Sequence, residues 1–465
     1  MKHNKAGLSA WQLTMLALGT VVGGSFFLGS AIAINTAGPA VLIAYILGGI
    51  LVYFILFALS EMTVADPTPG SFRTFSERAF GPGVGFVVGW VYWTGLILAM
   101  SSEATAVSLF FRVWFPRISL PLLGSMVIIG VTLLNLLGSD RLSKLESGLA
   151  AIKLLAIIGF ILLAIFLVSG LMPNKPTVGI GSLVNEPLFP AGISGIAGSM
   201  LIVMFTYAGF EIIGLAASET KNPHGTVPKA ITYTVIGLVG LYTVAITLLL
   251  PLIPTSAVIE EVSPFVSALE LYGIDWAVNA INLVLVTAIL STMLAATFGL
   301  GRMIRSLAEE GYAPSWLRDR GDIPYRGIIF SGISMLLALS LGLLLPLRIY
   351  IFLVSSGGFS LLFTYLIIMA THYKFRKKHG CPPKGHCQFP GYPYTSWIII
   401  AALIITIATM PLIPGQGSGL VAGIVLLIFY SICYMVTKHI KNTSNIKKPL
   451  DNFRNIKIKR KKKIK

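Results

Sequence analysis

Apolar residues run through this chain in long unbroken blocks, and polar residues gather in the gaps between them. Blocks long enough to cross about 30 Å of hydrocarbon, about 20 residues each, fall at 11–33, 39–65, 83–111, 119–138, 147–171, 191–217, 228–251, 276–300, 327–346, 349–372, 396–414 and 418–438. The pattern predicts an all-α integral membrane protein with 12 transmembrane helices, the first of them retained because it runs past signal-peptide length. A segment 1–10 precedes the membrane domain at 11–438, and a basic tail, 439–465, follows it.

Two of the blocks are interrupted. Ala17 to Ser30 reads ALGTVVGGSFFLGS, with glycine at 19, 23, 24 and 29 where a plain span would carry leucine. Met204 to Glu211, MFTYAGFE, sets Gly209 and an acid inside the sixth block. Unwound backbone in lipid leaves amides and carbonyls unpaired at several kcal/mol each, so it persists only where those groups line a cavity or meet a ligand. Matched interruptions in two halves of a membrane chain are the mark of a midplane substrate site in secondary transporters. The first and sixth spans therefore open two inverted repeats of five helices, about 11–171 and 191–372, with two helices added. The loop DPTPGSFRTFSERAFGPG between spans 2 and 3 reads as a short interfacial helix, and span 8 runs on into GRMIRSLAEEGYAP.

Composition agrees: 55% of the residues are hydrophobic and 11% charged, against about a quarter charged in soluble domains. The net charge of +17 does not indicate nucleic acid, because of where it sits. With both termini in the cytoplasm, Lys153 lies within a span and only Arg112, Arg117, Lys175 and Arg348 fall on the opposite side. That bias is the positive-inside rule for a multi-pass protein of the cytoplasmic membrane. The tail ending KIKRKKKIK reads as a disordered run near anionic headgroups. Cys433 falls in the last span, while Cys381 and Cys387 sit in HGCPPKGHC beside His379 and His386, a spacing that matches no common zinc pattern. No metal is expected, and the loop reads as reduced and solvated.

The run ALGTVVGGSFFLGSAIAINTAGP, then YFILFALSEM, PTPGSFRTFSERAFGPGVGFVVGWVYW, FEIIGLAASETKNPHGTVPKAI and GRMIRSLAEEGYAP resembles the amino acid transporter branch of the amino acid–polyamine–organocation superfamily. The resemblance covers about Leu8 to Met435. It implies a LeuT-type fold and amino acid uptake by alternating access, usually with a proton as the coupling ion. Exchange against an internal amino acid or polyamine is the alternative within transport, and a substrate sensor is a further class. No nucleophile–base pair, phosphate loop or dinucleotide motif appears, so neither an enzyme nor a cofactor is expected.

A zwitterion needs donors for its carboxylate and acceptors for its ammonium, and a broken helix offers both. The amides of Gly23, Gly24 and Ser25 open the second half of span 1 and suit a carboxylate, although the family's Gly-x-Gly is here Gly23-Gly24-Ser25. Carbonyls at the end of the first halves, those of Thr20, Val21, Phe205, Thr206 and Ala208, suit the ammonium. Phe205 and Tyr207 are candidates to cover the substrate, with Thr292, Ala296, Ser355, Ser356 and Gly357 as pocket walls. Three ionisable residues fall at membrane depth, where charge is costly and usually functional. Lys153 matches a position where proton-coupled relatives place an ammonium instead of sodium, and it can reach a carbonyl near Gly19 or Thr20; the competing reading is snorkelling to the surface. Glu211 matches an acid that joins the unwound segment to its neighbours and either carries a proton or locks the backbone. Glu103 faces the cavity or pairs within the bundle. With no evident acid for a cationic side chain, neutral amino acids are the expected substrates.

Overall fold

The structure is a computed structural model and describes residues 8–461 apart from 67, 69, 113, 217–219, 221, 261, 320, 322, 345–348 and 382–388. Arg348, His386 and Cys387, singled out above, lie outside the described residues. The described chain is helical, and its one bridge joins Leu8 to Thr220. The helices are α1 (Ala10–Val21), α2 (Gly24–Phe27), α3 (Gly29–Ala37), α4 (Val41–Ala65), α5 (Ser71–Phe80), α6 (Pro82–Phe111), α7 (Leu120–Asn135), α8 (Ser139–Ser169) and α9 (Gly192–Thr206). There follow α10 (Ile212–Ala216), α11 (Pro223–Leu249), α12 (Pro264–Leu271), α13 (Asp275–Glu309), α14 (Tyr325–Leu344), α15 (Ile349–His379), α16 (Tyr394–Thr409) and α17 (Gly417–Lys461).

Among the described residues, 8 helical segments are long and apolar enough to cross a membrane, and α1, α7, α9 and Tyr325–Ser340 of α14 are shorter apolar helices. Local chemistry sets the ends. Ser9 begins α1 with a capping box: its hydroxyl accepts from the Gln12 amide at 3.3 Å while the Gln12 side chain accepts from the Ser9 amide at 2.9 Å. Gly81, at φ +97°, turns the chain out of α5, and Pro82 opens α6, where its missing N–H costs nothing. The loop between α4 and α6 forms the expected short helix, α5, and α13 continues past its apolar block to Glu309.

The last apolar span falls at Gly417–His439, close to the expected 418–438, but two expectations fail. The basic tail, which the sequence reads as disordered, carries α17 on as helix to Lys461; lysine is a good helix former, and the preceding apolar helix supplies the nucleus. Cys381 is disulfide-bonded, whereas the sequence suggested a reduced loop.

Packing centres on α6, which meets α15, α13, α5 and α7. α4 lies on α11, and α3 on α9. Two polar clusters tie these helices at their ends, neither anticipated from sequence. Glu61 of α4, fully buried, accepts two bonds of 2.8 Å from Arg376 and one of 2.9 Å from the Phe389 amide, and lies 2.7 Å from the His372 ring nitrogen on α15. Arg73 of α5, also fully buried, bridges Glu310 just after α13 and Glu77. Its bonds run 2.7 Å to Glu310 Oε2, 3.0 Å to Glu77 and 3.2 Å to Ser306. Burial alone would push the Glu310 carboxyl up, but the bond and charge of Arg73 outweigh it and hold the group below its ordinary value.

Candidate functional site

The first span breaks where its glycines fall. α1 ends at Val21, then Val22 (φ −72°, ψ 98°) and Gly23 (φ −138°, ψ −166°) are extended before α2 begins at Gly24. The sixth breaks between α9 and α10, where Gly209 adopts φ +107°, open to glycine at little cost. The two breaks abut: a Cβ on Gly209 would lie 3.1 Å from the Thr20 methyl and 3.2 Å from its carbonyl oxygen. Glycine at 209 is thus required twice, by its dihedral and by the close approach.

Polar side chains from other helices satisfy the unwound backbone. Lys153 of α8 is fully buried and its ammonium donates to the Gly19 carbonyl, so it does not snorkel. Thr292 of α13 donates to the Val22 carbonyl at 3.3 Å. At the other side of the gap, Glu103 of α6 accepts from the Ser25 amide at 3.0 Å, and its second oxygen would sit 2.5 Å from a Cβ on Gly24. A carboxylate therefore occupies the amide end that sequence reasoning reserved for a substrate. Glu211 closes the second break by accepting from Tyr92 at 3.0 Å, Tyr365 at 3.2 Å and the Gly209 amide at 3.1 Å.

Thr20, Val21, Ser25, Glu103, Phe205, Ala208 and Glu211 line one cavity between the breaks, together with Thr292 and Ala296. It measures about 40 Å³, room for about three waters. α6 contributes Tyr92, Leu96, Ala99, Met100 and Glu103, a stripe at helical spacing. α13 contributes the small stripe Thr292, Ala295, Ala296 and Gly299. Leu96, Ala99 and Met100 were missed in the sequence, though their register with Glu103 was there to be read.

Several expected residues lie elsewhere. Tyr207 follows Phe205 by two positions, about 200° around the helix, and its ring stacks on Tyr242 while its hydroxyl donates to the Tyr45 carbonyl at 3.0 Å. It is core, not a cover for substrate. Thr206 is absent from the lining, and its hydroxyl is spent on the Val203 carbonyl at 2.7 Å. Ser355 turns toward α17, where it crowds Gly419, and Gly357 packs on the Gly95 carbonyl of α6; neither reaches the cavity, nor does Ser356. Gly23 and Gly24 bound the gap through backbone only. Glu103, finally, lines the cavity, one of the two places the sequence allowed for it.

An apolar helical bundle with two facing helix breaks and a small, largely apolar cavity between them defines a membrane transporter. The chain superposes on a manganese transporter of Eremococcus coleocola with a TM-score of 0.58 over 92% of this chain and 95% of that one, at 14% identity, a likeness of fold alone. The amino acid permease family model matches residues 12–448, and the chain belongs to that family, within the amino acid–polyamine–organocation superfamily. Among its relatives are an uncharacterized amino acid permease of Bacillus subtilis, 31% identical over 94% of this chain and 96% of the relative, and the gamma-aminobutyric acid permease of Escherichia coli K12, 31% identical over 88% and 89%. A probable threonine/serine transporter of Bacillus subtilis is 31% identical over 94% and 95%.

Proposed function

We propose that this multi-pass permease is a proton-coupled symporter of small neutral amino acids in the cytoplasmic membrane, working by alternating access with both termini inside. One observation carries the reading. In this structure the two ends of the broken first helix are held by an ammonium, Lys153 on the Gly19 carbonyl, and a carboxylate, Glu103 on the Ser25 amide. The protein fills its own gap with the two charges of an amino acid. An incoming substrate carboxylate displaces Glu103 from the amides, its ammonium meets the carbonyls of Thr20, Val21, Phe205 and Ala208, and the displaced acid takes a proton. Lys153 releases and recovers its own proton as α1 moves against α8. Glu211, with three donors, holds the second break.

A twelve-crossing arrangement of inverted five-helix repeats is supported by packing, since helices in matching positions of the two halves meet in pairs: α4 with α11, α6 with α13, α7 with α14. The small cavity favours small substrates, and the relatives named for gamma-aminobutyric acid and for threonine and serine handle molecules with one carboxylate and one ammonium.

Proteoliposome uptake tests the proposal. Accumulation of a neutral amino acid should follow an imposed inward proton gradient, need no sodium and collapse with a protonophore. Lys153→Ala should bind substrate yet fail to concentrate it, and accumulation by that variant under a pH gradient would remove Lys153 from the coupling step.

A further inference from the structure

A second cavity, about 470 Å³, lies between the end of α4, α5 and the last turns of α15. It shares no residue with the amino acid cavity. Its polar wall holds three cations, Arg78, Lys374 and Lys378, and His379, against one carboxylate, Asp66. Asp66 is already paired with Arg78. Among the described residues no carboxylate pairs with Lys374 or Lys378.

General abundance of lysine at a helix end does not account for this arrangement. On α15 the charge of Arg376 is consumed by Glu61, and Lys377 points away from the cavity, while Thr371, Lys374 and Lys378 follow one another at i, i+3 and i+7 along a single stripe. The Lys374 ammonium is steadied 4.8 Å over the Phe80 ring, which leaves its N–H groups able to donate. Thr371 forms part of the floor. It is 2% exposed, and its hydroxyl has no hydrogen-bond partner within the protein. A buried hydroxyl without a partner is costly, and Thr371 stands in the wall of a cavity rimmed by Lys374 and Lys378.

We propose that this cavity binds a phosphate ester. Lys374 and Lys378 neutralise the phosphate oxygens, the Thr371 hydroxyl donates to one of them, and the Arg78 guanidinium exchanges Asp66 for a further oxygen. The apolar wall, Met62 and Phe75, receives the ester's carbon chain. The apolar run of α15 gives way at Lys374 to the basic last turns that end at His379, so the site lies at headgroup level, within reach of both a phospholipid and a soluble organic phosphate. The proposal does not depend on the transport reading.

The test uses the full-length protein. Native mass spectrometry in detergent, with phosphatidylglycerol or phosphatidylcholine added, reads lipid retention; glycerol 3-phosphate and inorganic phosphate, read by thermal shift, supply the soluble arm. Phosphatidylglycerol should be retained over phosphatidylcholine, and Lys374→Gln/Lys378→Gln should weaken that retention about 30-fold, each cation near an anionic group contributing about fivefold. Thr371→Val, close to isosteric, should weaken it less, and Lys377→Gln should leave it unchanged and controls for loss of charge alone. Competition by glycerol 3-phosphate assigns the site to soluble phosphates; retention of phosphatidylglycerol without such competition assigns it to lipid. Equal binding of the two lipids with no phosphate-induced shift, or a double variant that is monodisperse and binds phosphatidylglycerol as the parent does, overturns the proposal.

Discussion

Replacing Glu103 by Gln isolates the competition that the site geometry implies. In the parent a charged acceptor holds the Ser25 amide at 3.0 Å. Hydrogen bonds to charged groups contribute about 1.5–3 kcal/mol and neutral ones about 0.5–1.5. A glutamine carbonyl at the same place is therefore an easier competitor to displace by about 1–1.5 kcal/mol, roughly 5- to 13-fold in affinity. Glu103→Gln should bind its amino acid more tightly by that factor. The pH response separates this from a general rearrangement. If each displacement is balanced by one proton taken up, parent affinity rises as pH falls, by up to about tenfold per unit, and levels off once the acid is neutral. The variant should show no such slope. Lys153, Glu211 and Tyr92 are the other ionisable groups of the site, and Lys153→Ala, which keeps Glu103, should retain the slope in binding. Isothermal titration at pH 5.5, 6.5 and 7.5 reads both quantities, with gamma-aminobutyrate, threonine, serine and alanine as probes. A Glu103→Gln protein that binds these probes less tightly than the parent, or with the same pH slope, would refute the displacement.

Other outcomes follow from the same geometry. Gly24→Leu should lose binding yet still insert, since a Cβ there meets Glu103 at 2.5 Å and Ile289 at 2.7 Å; unchanged affinity in a titration would place the carboxylate site elsewhere. Gly209→Ala forces a side chain into φ +107° and against Thr20, at a cost of about 1–2 kcal/mol from the dihedral alone, so its melting temperature should fall; an unaltered melt removes the strain argument. For Glu310→Gln the sign follows from a carboxyl held below its ordinary value by Arg73. Its contribution is present above the ordinary carboxylate range and lost as pH falls through the lowered value. The variant should be less stable than the parent at pH 7 and converge with it in acid, and a deficit independent of pH would point to packing instead.

The breaks at Val22–Gly23 and Gly209 were legible in the chain because lipid gives unpaired backbone no alternative partner, so interrupted apolar blocks have few explanations. Lys153 was readable for the same reason: a cation mid-block must find a carbonyl or reach the surface. The partner of Glu103 was not readable, since an acid in the third span has many donors within reach and the Ser25 amide lies 78 positions away. Tyr207 shows a finer limit. Composition marks an aromatic beside a break, but two residues of helix phase decide whether it faces substrate or core, and phase is uncertain where a helix is ending. Arg73 and Glu310 lie 237 positions apart, each an ordinary surface charge until the helices that carry them are placed side by side.

The contact between the two breaks has a mechanical consequence. Thr20 and Gly209 lie close enough that a methyl on 209 would crowd Thr20 at 3.1 Å, so the stubs of α1 and α10 turn about one shared pivot. A tilt of α1 that clears a path on its side presses directly on the turn leading into α10, and the reverse holds equally. Two doors hung on one hinge post cannot both swing wide. A continuous pore is thereby resisted at the backbone itself, before any side chain moves to block it.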